Sequence, residues 1–304
     1  MKRVIVTGAT GFIGRHAIPA LLRRGYEVHA LTRAGETRTG GVTWHSVDLL
    51  AGEPLQALFG RIRAGHLLHL SWCTDPGQYW TSAANLRWVK ASIDLLAGFK
   101  EAGGERFVGV GSCAEYDWRY GGYCVENVTP AHPASLYGVS KDCVRRLLES
   151  YAVRSGMGWA WGRVFHLYGP GEHPGRLVSS VIRGLLDGRE VPCTHGTQLR
   201  DYLHVIDVAS ALVALLDSAI EGPVNIASDQ PVSLRDLLKE IGVVTGRGEL
   251  VRLGALAAPA EEPDFLVGSN QRLAKEVAWI PEYDLQRGVR QTVGWWKEQR
   301  EGVK

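Results

Sequence analysis

The sequence predicts an α/β protein: a doubly wound parallel sheet followed by a smaller C-terminal α/β lobe. Three observations predict it. Short apolar, β-branched runs alternate with longer stripes of helical period through the first half of the chain, the pattern of βαβ units. Three glycines spaced three apart, Gly8, Gly11 and Gly14, join the first run to the first stripe. After Tyr168, the clusters Gly169-Pro170-Gly171 and Pro174-Gly175 break the rhythm.

In chain order, residues 4–7 read as the first strand. Residues 13–24 read as a helix, with Ile13, Ala17, Ala20 and Leu21 on one stripe. Gly25 follows the basic pair Arg23-Arg24 and suits the position after a helix end. Residues 26–32 and 42–47 are strands, 54–63 a helix and 66–71 a strand. A long helical pattern fills 79–102 and stops at Gly103-Gly104. Then come a strand at 106–111, a helix at 136–154 and a strand at 159–165. Beyond the break, helices are expected at 177–186 and at 205–219, the latter with a solvated far face, and a strand at 224–227. Ser233 is a fit N-cap for a helix over 234–244. Residues 257–263 read as a loop and 285–298 as a last helix. The first domain is expected to span 1–168, with 201–228 returning to it, and the second lobe 169–200 and 229–304.

Composition narrows the function classes. Over 304 residues, 45% are hydrophobic and 22% charged, which excludes a mainly disordered chain, a collagen or a coiled coil. Thirty-four Lys and Arg against 32 Asp and Glu leave a net charge of +2, too little for a chain built to grip nucleic acid. Five cysteines, an odd count with no C-x-x-C pair, exclude a disulfide framework or zinc ribbon, and the histidines lack ligand spacing, so no metal is expected. No apolar run is long enough to cross a membrane, and a strand beginning at Arg3 leaves no room for a signal peptide, so the expected location is the cytoplasm.

The segment Thr7-Gly8-Ala9-Thr10-Gly11-Phe12-Ile13-Gly14 carries the first chemistry. Gly8 permits a tight turn, Gly11 close approach of a pyrophosphate, and Gly14 close packing of helix on sheet. The helix start, with Thr10, Phe12 and Ile13, offers free N–H groups to phosphates. This predicts a dinucleotide. The second strand ends in Leu31-Thr32-Arg33 with no acid before Glu36. Arg33, with Arg38 near, suits a 2′-phosphate better than a ribose diol, so NADP is expected over NAD. Asp48 and Leu49 after the third strand are placed to meet adenine. The plainer reading of Asp48 is an N-cap.

Tyr137 and Lys141 lie four apart on one helical face. An ammonium beside a phenol is expected to lower its pKa and make it an acid–base group. Ser112 ends the fifth strand, at the edge where open α/β sheets bind ligands, and can hold a substrate oxygen beside that phenol.

With these residues in view the chain resembles the extended short-chain dehydrogenase/reductase family, the epimerase/dehydratase group acting mostly on nucleotide sugars. The matching segments are 7–14, His69-Leu70-Ser71, Asn85, 112–116, 137–141, 163–170, 199–207 and 224–228. The resemblance implies a Rossmann domain, Ser112, Tyr137 and Lys141 as catalytic triad, Lys141 on the nicotinamide ribose, Leu70 and Ser71 beside the coenzyme, and Arg200 on a substrate diphosphate. It also implies a homodimer through the helices at 79–102 and 136–154. Three departures matter. Sugar dehydratases carry acids directly after the serine position, where this chain has Cys113 and Ala114, with Glu115 one place later. His166 stands where many relatives have Asn. A second phosphate-binding Arg, expected around 259–264, is absent, and Arg176 is a spare cation. Trp72, Trp80, Trp88 and Trp118 fall in pocket-forming segments. Trp72 and Trp118 are candidate substrate contacts, while Trp88 is read as sharing a buried stripe with Trp80, and Trp295-Trp296 as packing. Cys113 is a candidate proton donor or an inert small apolar residue.

The leading expectation is an NADPH-dependent reductase of a keto group, at C4 by preference, on a nucleotide-linked deoxysugar. The alternatives are a 4-epimerase holding NAD tightly and a non-catalytic module sensing NADP(H).

Overall fold

The computed structural model describes residues 2–33, 40–257 and 263–302. The chain runs β1 (Lys2–Thr7), α1 (Gly14–Arg23), β2 (Tyr26–Thr32), β3 (Val42–Ser46), α2 (Gln56–Ile62), β4 (His66–His69), α3 (Ala84–Glu101), β5 (Arg106–Ser112), β6 (Tyr123–Cys124) and α4 (Leu136–Ser155). It continues with β7 (Gly158–Val164), β8 (His166–Tyr168), α5 (Leu177–Leu186), β9 (Val191–Pro192), β10 (Leu199–His204), α6 (Val205–Asp217) and β11 (Gly222–Ile226). Last come β12 (Pro231–Ser233), α7 (Leu234–Thr245), β13 (Val251–Arg252), β14 (Phe265–Gly268), α8 (Gln271–Lys275) and α9 (Leu285–Glu301).

Seven strands form one parallel sheet in the order β11-β7-β5-β4-β1-β2-β3. Runs such as Val4-Ile5-Val6 are buried on both faces, as helix-covered parallel strands must be. The order reverses between β1 and β4, and the crevice beyond their carboxyl ends is where such sheets take ligands. One core, with Val6, Val28 and Leu212, lies beneath α1 and α6; a second, with Phe59, Leu95 and Leu148, lies beneath α2, α3 and α4. Strand β5 carries Gly111 because a side chain there would run into the Trp161 indole and the Glu115 carboxylate.

The smaller sheet, β12-β10-β14-β6 with β8 beside β10, has no counterpart in the sequence pattern: its strands are two to six residues long and carry no sustained alternation. A third core, with Ile182, Leu237 and Val289, gathers α5, α7 and α9. Ser233 caps α7 as expected, accepting from Asp236 N at 3.0 Å, and Gly25 ends α1 at φ +75°.

Two expectations need correction. The helix expected from residue 79 begins only at Ala84, because the Asn85 amide donates to the carbonyls of Tyr79 (2.7 Å) and Ser82 (2.9 Å) and ties that stretch into a turn. The solvated far face expected for the helix from residue 205 does not exist. Ten of its thirteen residues are buried, because residues 279–283 cover it: Trp279 Nε1 donates to Ser210 Oγ at 2.9 Å, and Asp207 accepts from Glu282 N and Tyr283 N. Among the described residues no helix is long and apolar enough to cross a membrane.

Candidate active site

The loop after β1 is shaped by its glycines. Gly8 has φ +68°, and a Cβ there would meet the Leu70 and Ser71 main chain at 2.8 Å. A Cβ on Gly14 would collide with the Gly8 carbonyl and the Ala9 backbone. A Cβ on Gly11 would meet only the Gly8 carbonyl, at 3.0 Å, and otherwise fill open space above the loop. Thr10 is exposed, and Phe12 and Ile13 are half-buried. The loop and the N-terminal end of α1 together form a cradle that fits the phosphates of a dinucleotide. Sequence reasoning overlooked Arg15, which donates to the carbonyls of Thr10 (3.2 Å) and Gly11 (3.3 Å) and folds back over this cradle.

Beneath the loop, the Thr7 hydroxyl oxygen accepts from Leu70 N and Ser71 N, both at 3.2 Å. Its own hydrogen therefore goes to His69 Nδ1 at 2.7 Å, and His69 Nε2–H donates to Ser92 Oγ at 2.8 Å. Burial, then the nearby Lys141 charge, push His69 down to about 3, so the ring stays neutral. Arg33 is exposed just past β2. Glu36 and Arg38 lie outside the described residues. Asp48 closes its own turn, accepting from Leu50 N at 2.9 Å, which is the capping reading, and Leu49 packs toward the core under α2.

Ser112, Tyr137 and Lys141 converge above β5. Ser112 caps a short turn, its Oγ accepting from Ala114 N at 3.2 Å and its N–H donating to Glu115 Oε1 at 2.8 Å. Tyr137 and Lys141 lie in the first turns of α4, whose N-cap Ser135 accepts from Gly138 N at 3.1 Å. The Tyr137 phenol hydrogen-bonds with Ser112, which favours its charged form. Burial dominates, with the Tyr79 phenol adding to it, and holds Tyr137 above the ordinary phenol range. This corrects the expectation of a lowered pKa. The ammonium lies 5.9 Å from the Tyr137 ring centroid and donates to the Val110 carbonyl at 2.8 Å. Burial likewise pushes Lys141 down to about 7, opposed in part by the Glu115 charge.

Glu115 is fully buried. Its oxygens accept from Ser112 N, from Trp161 Nε1 (2.9 Å) and from Arg163 Nε (2.8 Å), so none is turned toward the crevice. Cys113 packs with Tyr116, Cys124, Phe165 and Leu266, and burial pushes its thiol up to about 12. It takes the inert reading.

Aromatic rings wall the phenol. Tyr79 meets Tyr137 edge-on at 4.9 Å between centroids, and Trp80 does so at 5.7 Å. Trp118 meets Trp80 edge-on at 6.3 Å and donates to the Cys113 carbonyl at 3.1 Å. Trp72 lies under Lys141 and stacks on Trp88. Trp88 thus belongs with Trp72 rather than Trp80, because the helix starts too late to align the pair Trp80 and Trp88. Trp295 and Trp296 pack on the third core. Arg176 donates to the Thr74 carbonyl at 2.9 Å and stands 5.1 Å from the Tyr79 ring centroid. Arg200 is buried, and both cations face His166, whose Nδ1 is buried with no hydrogen-bond partner. Burial first, then Arg200 and Arg176, push His166 down to about 3. The structure therefore brings His166, Arg176 and Arg200 together. Besides Arg15, the parts sequence reasoning missed are Tyr79, which shows only as an aromatic before Trp80, and the Thr7–His69 pair.

The parallel sheet, the phosphate cradle and the Ser112–Tyr137–Lys141 group define a dinucleotide-binding enzyme of the doubly wound class. The model of the NAD dependent epimerase/dehydratase family matches residues 4–227, and the chain belongs to that family, within the extended short-chain dehydrogenases/reductases. It is an NAD(P)-dependent oxidoreductase or epimerase of that type. The chain is 27% identical to CDP-abequose synthase of Salmonella typhimurium, over 94% of this chain and 95% of that one. It is 25% identical to dTDP-6-deoxy-L-talose 4-dehydrogenase (NAD(+)) of Aggregatibacter actinomycetemcomitans, over 78% and 88%. The crystal structure of Thermus thermophilus UDP-glucose 4-epimerase in complex with NAD superposes with a TM-score of 0.84 at 26% identity, covering 97% of this chain and 99% of that one.

Proposed function

We propose that the chain reduces a keto group, at C4 by preference, on a nucleotide-linked deoxysugar with NADPH. The observation that supports it most is Arg33, exposed just past β2 where an NAD site would place an acid, a position that suits the 2′-phosphate of the reducing coenzyme. Gly8, Thr10, Gly11, Phe12, Ile13 and Gly14 would hold the dinucleotide, with Leu70 and Ser71 beside it and Arg33 toward its 2′-phosphate; when bound it would supply the electron pair for the reduction. Ser112 orients the carbonyl oxygen. Tyr137 gives that oxygen its proton as negative charge develops there, and recovers one from solvent. Lys141 holds the ribose. Arg200, Arg176 and His166 hold the substrate phosphates, and Trp118 faces the sugar. In this reading the coenzyme domain is 1–168 with 201–228, and 169–200 with 229–304 binds substrate. A dehydration is disfavoured because Cys113 is a buried thiol packed in an apolar cluster and Glu115 is committed to Ser112, Trp161 and Arg163. The deoxysugar 4-dehydrogenase among the relatives supports C4 chemistry. The unpaired cysteines suit a reducing cytoplasm. The test is NADPH oxidation across a panel of 4-keto-6-deoxy nucleotide sugars; no oxidation with any member sinks the reading.

A second reading, a 4-epimerase with resident NAD, is favoured by the NAD complex of the Thermus enzyme. Coenzyme released from denatured protein decides between the two: NAD at one equivalent supports epimerisation, and NADPH consumed in equal measure with product excludes it. We further propose a homodimer. Leu86 and Ile93 on α3 and Val139 and Leu147 on α4 are exposed apolar residues on two helices packed side by side. A monomer mass by light scattering contradicts it.

A further inference from the structure

We propose that Trp72 is a positioning residue for Lys141, its indole face fixing where the ε-ammonium stands relative to Tyr137. Lys141 Nζ lies 3.9 Å from the Trp72 ring centroid, well within the range at which a cation is drawn to a π face. The indole is itself clamped. Its Nε1 donates to Asn85 Oδ1 at 2.8 Å, and Trp88 stacks on it at 6.2 Å between centroids and 26° between planes. Asn85 is fully buried, and its amide binds the carbonyls of Tyr79 and Ser82. The clamp is therefore continuous with the turn that sets Tyr79 and Trp80 against the phenol. One assembly places both the ammonium and the wall of the acid.

A buried ammonium needs such a partner. The titratable groups facing Lys141 are Glu115 on the turn after β5, His69 on β4 and Tyr137 on its own helix. Glu115 is occupied by Ser112, Trp161 and Arg163, His69 is neutral and bonded at both nitrogens, and Tyr137 is a neutral phenol. Among the described residues no carboxylate forms an ion pair with Lys141. Beside the more distant Glu115 charge, the Val110 carbonyl and the Trp72 face are the groups in direct contact that hold the ammonium against burial.

The inference rests on the reductase reading only for its consequence in turnover. The lysine is titrated on the full chain without coenzyme or substrate, so the two readings fail separately. Protein labelled with carbon-13 at the lysine ε positions is titrated by NMR from about pH 5 to about pH 11, with the Lys141 signal assigned through Lys141→Gln. Trp72→Leu is expected to lower the Lys141 midpoint by about one pH unit or more, and Trp72→Phe, which keeps a smaller ring face, by less. An unchanged midpoint in folded Trp72→Leu, or equal shifts for Leu and Phe, overturns the proposal. If Trp72→Leu does not fold, protein produced with 5-fluorotryptophan keeps the indole shape while weakening its π face. A lowered midpoint supports the proposal, and an unchanged one overturns it.

Discussion

Arg163 Nε donates to Glu115 Oε2 at 2.8 Å, with both side chains sealed in the core beside Trp161. The nearest acid to the serine position thus serves as a counter-charge for a strand of the sheet and not as a proton carrier for the sugar. Glu115→Gln is expected to leave the Arg163 charge unpaired in the interior and to cost about 3 kcal/mol or more of stability. Urea unfolding reads this; a stability within about 0.5 kcal/mol of the parent removes the structural role.

Tyr137→Phe removes the proposed acid while keeping the ring that packs on Tyr79 and Trp80. Turnover is expected to fall by about 10²-fold to 10⁴-fold, with coenzyme affinity unchanged. Stopped-flow NADPH absorbance and fluorescence titration measure the two. Full activity in the variant would mean the proton comes from elsewhere.

The glycine loop separates two kinds of damage. Gly14→Ala drives a methyl into the Gly8 carbonyl and the Ala9 backbone, so expression as folded protein is expected to be lost. Gly11→Ala meets one carbonyl at 3.0 Å and otherwise fills the cradle, so the protein folds but binds coenzyme weakly. Circular dichroism with coenzyme titration distinguishes them, and undiminished binding by Gly11→Ala contradicts the placement of the pyrophosphate.

Arg33, exposed just past β2, is the residue proposed to set coenzyme choice. Arg33→Gln is expected to weaken NADPH about tenfold or more while leaving NADH unchanged, the size of one charge-assisted hydrogen bond. Equal effects on the two coenzymes would show that the guanidinium does not meet the 2′-phosphate.

Acid is expected to unfold the chain through its buried imidazoles. His69, His166 and His204 are each pushed by burial from 6.5 down to about 3. Between those values the unfolded chain binds protons that the folded chain does not, so stability rises with pH across the window and is lost as pH falls through it. Glu172, raised by burial from 4.5 to about 7, works the other way over its own window. Urea midpoints measured between about pH 4 and about pH 6.5 should climb; a flat profile contradicts three neutral buried rings.

Much of this was legible without coordinates. The alternation of strand and helix patterns needs only local periodicity, and the glycine spacing reports a backbone that leaves no room for a Cβ at Gly8 and Gly14. Tyr137 and Lys141 fall on one face because four residues make about one helical turn. The smaller sheet was invisible because strands such as β6 and β12 hold two or three residues and gain their pairing only from partners far along the chain.

The sequence by itself determined the class of enzyme and singled out Tyr137, Lys141 and Ser112 as the residues proposed to carry its chemistry. Only the tertiary structure decided their condition. It showed that burial outweighs the Ser112 hydrogen bond at Tyr137, that Glu115 is consumed by Arg163 forty-eight positions away, and that Asn85 stops a helix to bring Tyr79 and Trp80 inward. The reason is physical. Desolvation and long-range pairing depend on which distant groups close around a side chain, and local pattern holds no record of that.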